Sequence, residues 1–291
     1  MQADLLVNCN CILGEGPLWH AKRKTIFWVD IEGKCFYEYN QHSGKLKQWQ
    51  LDKRVSVIIE TNEVDVVLLG VQGALIKFDL NTSEQFFCTN IENEITNNRT
   101  NDGKCDSEGR LWIGTMDVDL KDFCGSLYVI DNNFQLHKKL PSLSISNGIA
   151  WSDDNSIMYF IDTPTQKINA FDFDAATGNI IFRKMVVEIP LIMGSPDGMC
   201  IDTEGMLWVA HWGGNGVYRW NPGNGELVDK IEVPCPHVTS CCFGGDNFET
   251  LFITTAKQGL SEDQLRLYPN SGGLFAVKPG VKGLASNCFG Q

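Results

Sequence analysis

The segment Asn101-Asp-Gly-Lys-Cys-Asp106, followed by Trp112, recurs further along the chain in almost the same form. Its second copy is Asp197-Gly-Met-Cys-Ile-Asp202, followed by Trp208, and in both copies the tryptophan lies 11 positions after the first residue. A small polar residue opens a short apolar stretch, a turn follows, and an aromatic-rich strand begins. Similar units repeated along a chain are typical of folds built from one supersecondary unit.

Working outward from these two copies reveals six units of roughly 40 to 50 residues, a length typical of a propeller blade. They open at Glu15, around Val55-Ser56, and at Asn101, Asn147, Asp197 and Ser240. Period-2 alternation and Asn-Pro-Gly or Thr-Gly turns within the units indicate antiparallel strands. The sequence therefore predicts an all-β chain, a six-bladed β-propeller with four-stranded antiparallel blades, forming a single domain over residues 1–291. A β-sandwich is the alternative, but it would not require so many similar units.

The composition excludes several classes of function. Of the 291 residues in the chain, 24 are Lys or Arg and 36 are Asp or Glu, which gives a formal net charge of −12. Such a surface repels phosphate backbones and anionic lipids, so we expect no nucleic-acid or membrane partner. No Lys or Arg precedes Lys22, and no apolar run approaches a bilayer-spanning length. We expect a cytoplasmic protein whose 11 cysteines are reduced thiols.

The residues at which the units begin, called openers, are the candidate site residues. The first strand of each propeller blade lines the central channel, so equivalent openers should lie around one axis. Glu15, Asn147 and Asp197 would bring two carboxylates and one amide oxygen together, a donor set that suits a hard divalent cation such as Ca²⁺, Mg²⁺ or Mn²⁺. The alternative for each opener alone is turn chemistry, because Asn-Gly and Asp-Gly are common in turns. The shared phase of the copies favours the metal site.

Other catalytic motifs are absent from the sequence. It contains no G-x-S-x-G elbow, no H-E-x-x-H and no Walker A sequence, and its five histidines lack close ligand spacing. The chemistry is therefore expected from the channel.

Six short motifs in register resemble the regucalcin (senescence marker protein)/gluconolactonase family over nearly the whole chain. They are Gly14-Glu15-Gly16-Pro17, Asn98-Arg99-Thr100-Asn101-Asp102-Gly103-Lys104, Gly114-Thr115-Met116, Ser146-Asn147-Gly148, Pro196-Asp197-Gly198 and Cys242-Phe243-Gly244-Gly245. The segments Ala210-His211-Trp212-Gly213-Gly214 and Thr254–Ser261 look more like the bacterial sugar-acid lactonase branch.

The resemblance implies a propeller that holds one divalent cation, which is Ca²⁺, Mn²⁺, Mg²⁺, Zn²⁺ or Fe(II). By position, the family's metal ligands correspond to Glu15, Asn147 and Asp197, and its substrate contacts to Arg99 and Asn101. A further substrate-contacting glutamate would correspond to Asp119, where this sequence has the shorter acid. For Arg99, the alternative is a surface ion pair with Glu92 or Glu94.

The resemblance also implies hydrolysis of a sugar aldonolactone to its aldonic acid, with the lactone as a small-molecule partner. Asp197, a carboxylate at the metal, is then the candidate general base. A calcium-binding regulatory protein on the same fold, and a hydrolase of organophosphates or other esters, remain alternatives. The sequence does not identify the oligomeric state.

Overall fold

The structure, a computed structural model, describes residues 1–290 and consists of six four-stranded antiparallel sheets. Strand β1 (Asp4–Val7) precedes the first blade. The strands that follow are, for blade 1, β2 (Gly14–His20), β3 (Thr25–Asp30), β4 (Cys35–Asn40) and β5 (Lys45–Gln50); for blade 2, β6 (Val55–Glu60), β7 (Val66–Val71), β8 (Ala74–Asp79) and β9 (Gln85–Asn90); for blade 3, β10 (Asn98–Cys105), β11 (Leu111–Asp117), β12 (Gly125–Ile130) and β13 (Leu136–Leu143); for blade 4, β14 (Ser146–Trp151), β15 (Ile157–Asp162), β16 (Lys167–Asp174) and β17 (Asn179–Glu188); for blade 5, β18 (Ser195–Ile201), β19 (Leu207–Trp212), β20 (Gly216–Trp220) and β21 (Leu227–Glu232); and for blade 6, β22 (Val238–Gly244), β23 (Thr250–Thr255) and β24 (Leu274–Val277).

The predicted six-bladed propeller is confirmed, and each unit opener lies on the inner strand of its blade. The inner strands β2, β6, β10, β14, β18 and β22 contact one another in this order, and β22 contacts β2, which closes the ring. A single short α-helix, α1 (Glu262–Leu267), lies within the described residues, between β23 and β24.

Blade 6 is completed by the beginning of the chain. Strand β1 pairs antiparallel with β24, with Asp4 opposite Ala276 and Leu5 opposite Phe275. Strands from the first and last parts of the chain are thus hydrogen-bonded in one sheet, and blade 6 has four strands like the other blades. The unit count predicted six blades, but it gave no sign that the sixth takes its outer strand from the other end of the chain.

Each inner strand has a break in its register at the same place. The pairing shifts between the following residues: Glu15 and Leu18, Val55 and Val57, Thr100 and Gly103, Asn147 and Ile149, Pro196 and Met199, and Val238 and Ser240. Such bulges bend a strand and redirect its side chains. The shared phase of the sequence repeats therefore corresponds to a repeated bulge beside the channel.

Apolar side chains are concentrated between neighbouring blades. Six buried hydrophobic clusters are present, one at each of the six blade boundaries. Trp28, Trp112 and Trp208, each on the second strand of a blade, are fully buried. Burial decreases outward, and the outer strand β5 is largely exposed. Inter-blade packing thus holds the inner strands in place around the channel.

The two clearest sequence copies share one turn structure. The carboxylate of Asp106 accepts a hydrogen bond from the Trp112 indole nitrogen at 2.8 Å, and Asp202 accepts the equivalent bond from Trp208 at 2.9 Å. Both aspartates are fully buried and both also bind an arginine. The spacing from aspartate to tryptophan in the repeat therefore reflects a buried charge-assisted hydrogen bond that fixes the turn between the first two strands.

Across residues 1–290, no helix has the length and apolarity needed to cross a bilayer. Within the same residues none of the 11 cysteines forms a disulfide.

Candidate active site

The three predicted metal ligands lie at the bulges of three inner strands. Glu15 lies on β2, Asn147 on β14 and Asp197 on β18, and each side chain is buried. Two glycines allow these inner strands to lie close to the neighbouring inner strands. A Cβ on Gly148 would lie 2.8 Å from the Asp197 carbonyl oxygen, and a Cβ on Gly198 would overlap the Ser240 hydroxyl. The Asn-Gly and Asp-Gly pairs therefore serve close packing of the inner strands, in addition to any role of the polar residue.

A chain of hydrogen bonds joins polar residues of blades 3 and 4. The Arg99 guanidinium donates to Oδ1 of Asn101 at 2.6 Å and to the Thr100 carbonyl at 3.0 Å. The Asn101 amide donates to Oδ1 of Asn147 at 3.2 Å, and the Asn147 amide donates to Oγ1 of Thr163 at 2.9 Å. The structure thus brings Arg99, Asn101 and Asn147 into one network.

Thr163 fixes the orientation of the Asn147 amide. Its hydroxyl donates to the Pro196 carbonyl at 2.8 Å, so it can only accept from Asn147 Nδ2. Oδ1 of Asn147 is therefore the atom that faces Asn101, and it keeps an unused lone pair. No sequence motif marked Thr163, because it lies in the loop after β15 and reaches Asn147 through the tertiary fold.

Electrostatics couple the two carboxylates. Burial, reinforced by the charge of nearby Asp102, raises the pKa of Glu15 to about 8. Burial together with the charges of Glu15 and Asp102 raises the pKa of Asp197 well above its usual range, while Arg99 and the Asn147 amide oppose this rise. Carboxyl groups that repel one another in a dry channel need a positive partner to ionise together.

Arg99 is the cation of this network. It is buried, and burial lowers the pKa of its guanidinium to about 10, although the charges of Glu32 and Glu15 act in the opposite direction. The alternative surface ion pair of Arg99 with Glu92 or Glu94 is wrong, because Glu92 instead accepts hydrogen bonds from Asn98 and Tyr128 and Arg99 makes no ion pair within residues 1–290.

Asp102 is a site residue that the sequence reasoning missed. It is next to Asn101 in the β10 bulge, its Oδ1 accepts from the Gly103 amide at 2.7 Å, and burial raises the pKa of its carboxyl. The bulge brings Asn101 and the following Asp102 both into the channel network. The signal was present as two consecutive polar residues in the repeat, but Asp102-Gly103 has the composition of an ordinary turn.

A cavity of about 290 Å³ occupies the channel beyond Asp102. Asp102 and Lys104 line it, and residues 284–287 form part of its wall. Lys104 donates from Nζ to the Met199 carbonyl at 2.9 Å, and its charge partly offsets the rise in the Asp102 pKa. Asp102 therefore both lines this cavity and acts by its charge on Glu15 and Asp197.

Asp119 lies apart from the buried network. It is in the loop after β11, its side chain is 66% exposed, and its Oδ2 accepts from Asn97 at 3.0 Å and lies 4.0 Å from Lys121 Nζ. Among residues 1–290, no hydrogen bond or ion pair joins it to Arg99 or Asn101. Contact between Asp119 and a substrate stays a prediction.

The donors present fit a hard cation. In the part of the chain that the structure describes, no group of three or more His, Cys, Asp or Glu side chains is arranged to hold a metal. The available set is two carboxylates and one oriented amide oxygen, from Glu15, Asp197 and Asn147. Because these carboxyls are buried and mutually repelling, a divalent cation between them would neutralise charge that Arg99 alone does not balance.

Comparison with known proteins places this architecture in a family. Residues 13–257 match the model of the SMP-30/Gluconolactonase/LRE-like region, and the chain belongs to this family. Regucalcin of Oryctolagus cuniculus is 36% identical over 95% of this chain and 94% of its own.

Two solved structures share the fold over nearly their whole length. A luciferin-regenerating enzyme is 31% identical, with a TM-score of 0.92 over 99% of this chain and 98% of that one. A calcium-binding protein, regucalcin, from Agrobacterium tumefaciens is 27% identical, with a TM-score of 0.95 over 100% and 98%. The rabbit protein shares more identical positions with this chain than this bacterial one does, so assignment to the bacterial branch stays a prediction.

Proposed function

We propose that this protein is a divalent-metal-dependent hydrolase that opens sugar aldonolactones to aldonic acids. The observation that carries the proposal is the pair of buried, mutually repelling carboxyls of Glu15 and Asp197 beside an oriented Asn147 amide, in a network that also contains Arg99. Membership in a family that includes gluconolactonases supports the reaction class. The proposal does not specify which sugar lactone is the preferred substrate.

Glu15, Asn147 and Asp197 would hold the cation. When bound, the ion supplies Lewis-acid polarisation of the lactone carbonyl. Ca²⁺, Mn²⁺, Mg²⁺, Zn²⁺ and Fe(II) all accept oxygen donors, so the donor set alone does not select among them. Positive charge at this point also lowers the pKa of both carboxyls and keeps them ionised at neutral pH.

Asp197 is the proposed general base. As an ionised carboxylate it accepts the proton of the attacking water at one of its Oδ atoms, a contribution of typically 10²- to 10⁴-fold. Burial excludes bulk water from the carboxylate, which strengthens its interaction with the reacting groups. Glu15, whose carboxylate accepts from its neighbouring Gly16 amide at 2.9 Å, is assigned to holding the ion.

Arg99 and Asn101 are assigned to substrate positioning. The Arg99 guanidinium uses one nitrogen, Nη1, for Asn101 and Thr100, so its other N–H groups are left for ring or hydroxyl oxygens of the lactone. The Asn101 amide nitrogen is fully used by the Ser146 carbonyl, at 2.8 Å, and by Asn147. Only an acceptor lone pair on Asn101 Oδ1 remains for a substrate hydroxyl.

The test is a panel of aldonolactones followed by acid release at neutral pH, corrected for spontaneous hydrolysis. Chelated protein should be inactive, and adding back single divalent cations should restore turnover of at least one lactone. Full activity after exhaustive chelation, or no turnover of any lactone with any cation, would contradict the proposal.

A second candidate is a calcium-binding regulatory protein. The description of the Agrobacterium relative as calcium-binding favours it. Calorimetry with Ca²⁺ beside the lactone assay separates the two candidates, because the regulator predicts Ca²⁺ binding without turnover under any metal.

A further inference from the structure

Cys9 and Cys11 form a close thiol pair in the linker between β1 and β2. Their sulfur atoms lie 3.5 Å apart. Cys11 is buried, whereas Cys9 is only partly buried. The linker leads from the outer strand of blade 6 to the inner strand of blade 1, and Ile12, Leu13 and Gly14 separate the pair from Glu15.

The surroundings distinguish the two sulfurs. The Cys11 thiol donates to the Cys9 sulfur. The indole N–H of fully buried Trp28 lies beside both sulfurs. The Cys11 thiol, followed by the Trp28 N–H, lowers the pKa of Cys9 against the effect of burial, and the pKa of Cys11 is raised. Cys9 is therefore the nucleophilic sulfur of the pair.

The backbone already brings the sulfurs to one side. Asn10 has a left-handed conformation with φ of 56°, which bends the chain between the two cysteines. The Gly272 carbonyl accepts from the Cys11 amide at 2.8 Å and from the Cys9 thiol at 3.2 Å. Bond formation requires the sulfurs to close from 3.5 Å to about 2.05 Å.

We propose that Cys9 and Cys11 are a peroxide-reactive dithiol that closes to an intramolecular disulfide. The Cys9 thiolate attacks one oxygen of hydrogen peroxide, the O–O bond breaks, and the released hydroxide takes a proton to become water. The Cys11 sulfur then attacks the sulfenic acid on Cys9, forms the S–S bond and expels a second water. Both sulfurs are oxidised and the peroxide is reduced, with two waters as products.

A second cysteine pair provides an internal control for the effect of the sulfur–sulfur distance. Cys200 and Cys241 lie 3.6 Å apart at their sulfurs, nearly the same separation, but both are buried. Burial, with Cys200 as a further cause, raises the pKa of Cys241 well above its ordinary value. If proximity alone governed oxidation, the two pairs would react alike; if thiolate character and access govern it, only Cys9–Cys11 reacts readily.

The test is treatment of the native protein with hydrogen peroxide at neutral pH, alkylation of remaining thiols, and peptide mass spectrometry. We expect the Cys9–Cys11 disulfide to form at least about tenfold faster than the Cys200–Cys241 disulfide. Cys11→Ser should leave a dimedone-reactive sulfenic acid on Cys9, Cys9→Ser should leave Cys11 reduced, and Cys241→Ser should not change the rate at Cys9. Equal rates of disulfide formation for the two pairs would overturn the proposal. So would finding Cys9 and Cys11 still reduced after the exposed Cys124 has been oxidised. Because the readout is thiol chemistry, it is independent of lactone turnover.

Discussion

The side-chain amide of Asn101 donates a hydrogen bond to Oδ1 of Asn147 across the boundary between blades 3 and 4, with 3.2 Å between nitrogen and oxygen. Oδ1 of Asn101 simultaneously accepts from Arg99 at 2.6 Å. One residue therefore couples the guanidinium proposed to hold the lactone to the amide proposed to hold the cation.

Replacing Asn101 should impair both functions without unfolding the propeller. In Asn101→Ala, Arg99 and Asn147 both lose a partner, and we expect kcat/KM for the preferred lactone to fall about 10- to 100-fold, with weaker cation binding. Steady-state kinetics and calorimetry measure the two effects. Asn133→Ala, at an exposed turn asparagine, is the matched control. Wild-type kinetics in Asn101→Ala would contradict the network.

Thr163 provides a sharper test of amide orientation. Thr163→Val keeps the shape but removes the hydroxyl that accepts from Asn147 and donates to Pro196. The amide then loses the bond that fixes its oxygen, and we expect cation affinity to fall about tenfold or more. Thr163→Ser, which retains the hydroxyl, should bind the cation as wild type does. Equal affinity in the valine and serine variants would show that the hydroxyl has no such role.

The buried aspartates of the repeat should govern stability. Asp202 accepts from Trp208 Nε1 at 2.9 Å and from Arg219 Nε at 2.8 Å. Asp202→Ala leaves a buried guanidinium and an indole N–H without this partner, and we expect a loss of roughly 3–5 kcal/mol in the free energy of unfolding, measured by urea denaturation. Asp172→Ala, which removes an exposed ion pair with Arg183, should cost only about 0–1 kcal/mol. Similar losses in the two variants would refute the assignment.

A buried histidine should make stability depend on pH. His211 is fully buried and stacks on Tyr218, and burial lowers its pKa to about 4. Because the unfolded chain protonates this histidine near pH 6.5 and the folded chain does not, stability present at neutral pH is lost as the pH falls from about 6.5 to 4. The contribution is about 3 kcal/mol at most.

His211→Gln removes the titrating group. The difference between wild type and variant in the free energy of unfolding should change across this pH window and be constant above it. His42→Gln, at an exposed position, is the control. A difference that does not vary between pH 4 and 7 would remove His211 from the pH response.

Features that recur from blade to blade could be predicted from the sequence, whereas features that occur only once were missed. Openers such as Glu15 and Asp197 recur with equal phase because each occupies an inner-strand bulge, so the blade number and the channel position could be predicted. The pairing of β1 with β24 joins residues far apart in sequence, and the four-residue strand Asp4–Val7 has no local partner to reveal it.

The site was predicted in part for similar reasons. Arg99 and Asn101 belong to a recognisable motif, whereas Asp102 has the composition of a turn and enters the channel network through the register shift of β10. Thr163 acts through a contact formed only by the tertiary fold. Residues that support a site from neighbouring loops leave no periodic signal in a single sequence.

The account depends on Glu15, Asn147 and Asp197 binding one cation together. Calorimetric titration of chelated protein with Mn²⁺ tests this most directly, using wild type, Glu15→Gln, Asn147→Ala and Asp197→Asn. We predict a single site in the wild type and an affinity at least about 100-fold weaker for both carboxylate variants, because each loses a charged oxygen ligand. Wild-type affinity in either carboxylate variant, with the fold intact, would contradict the account.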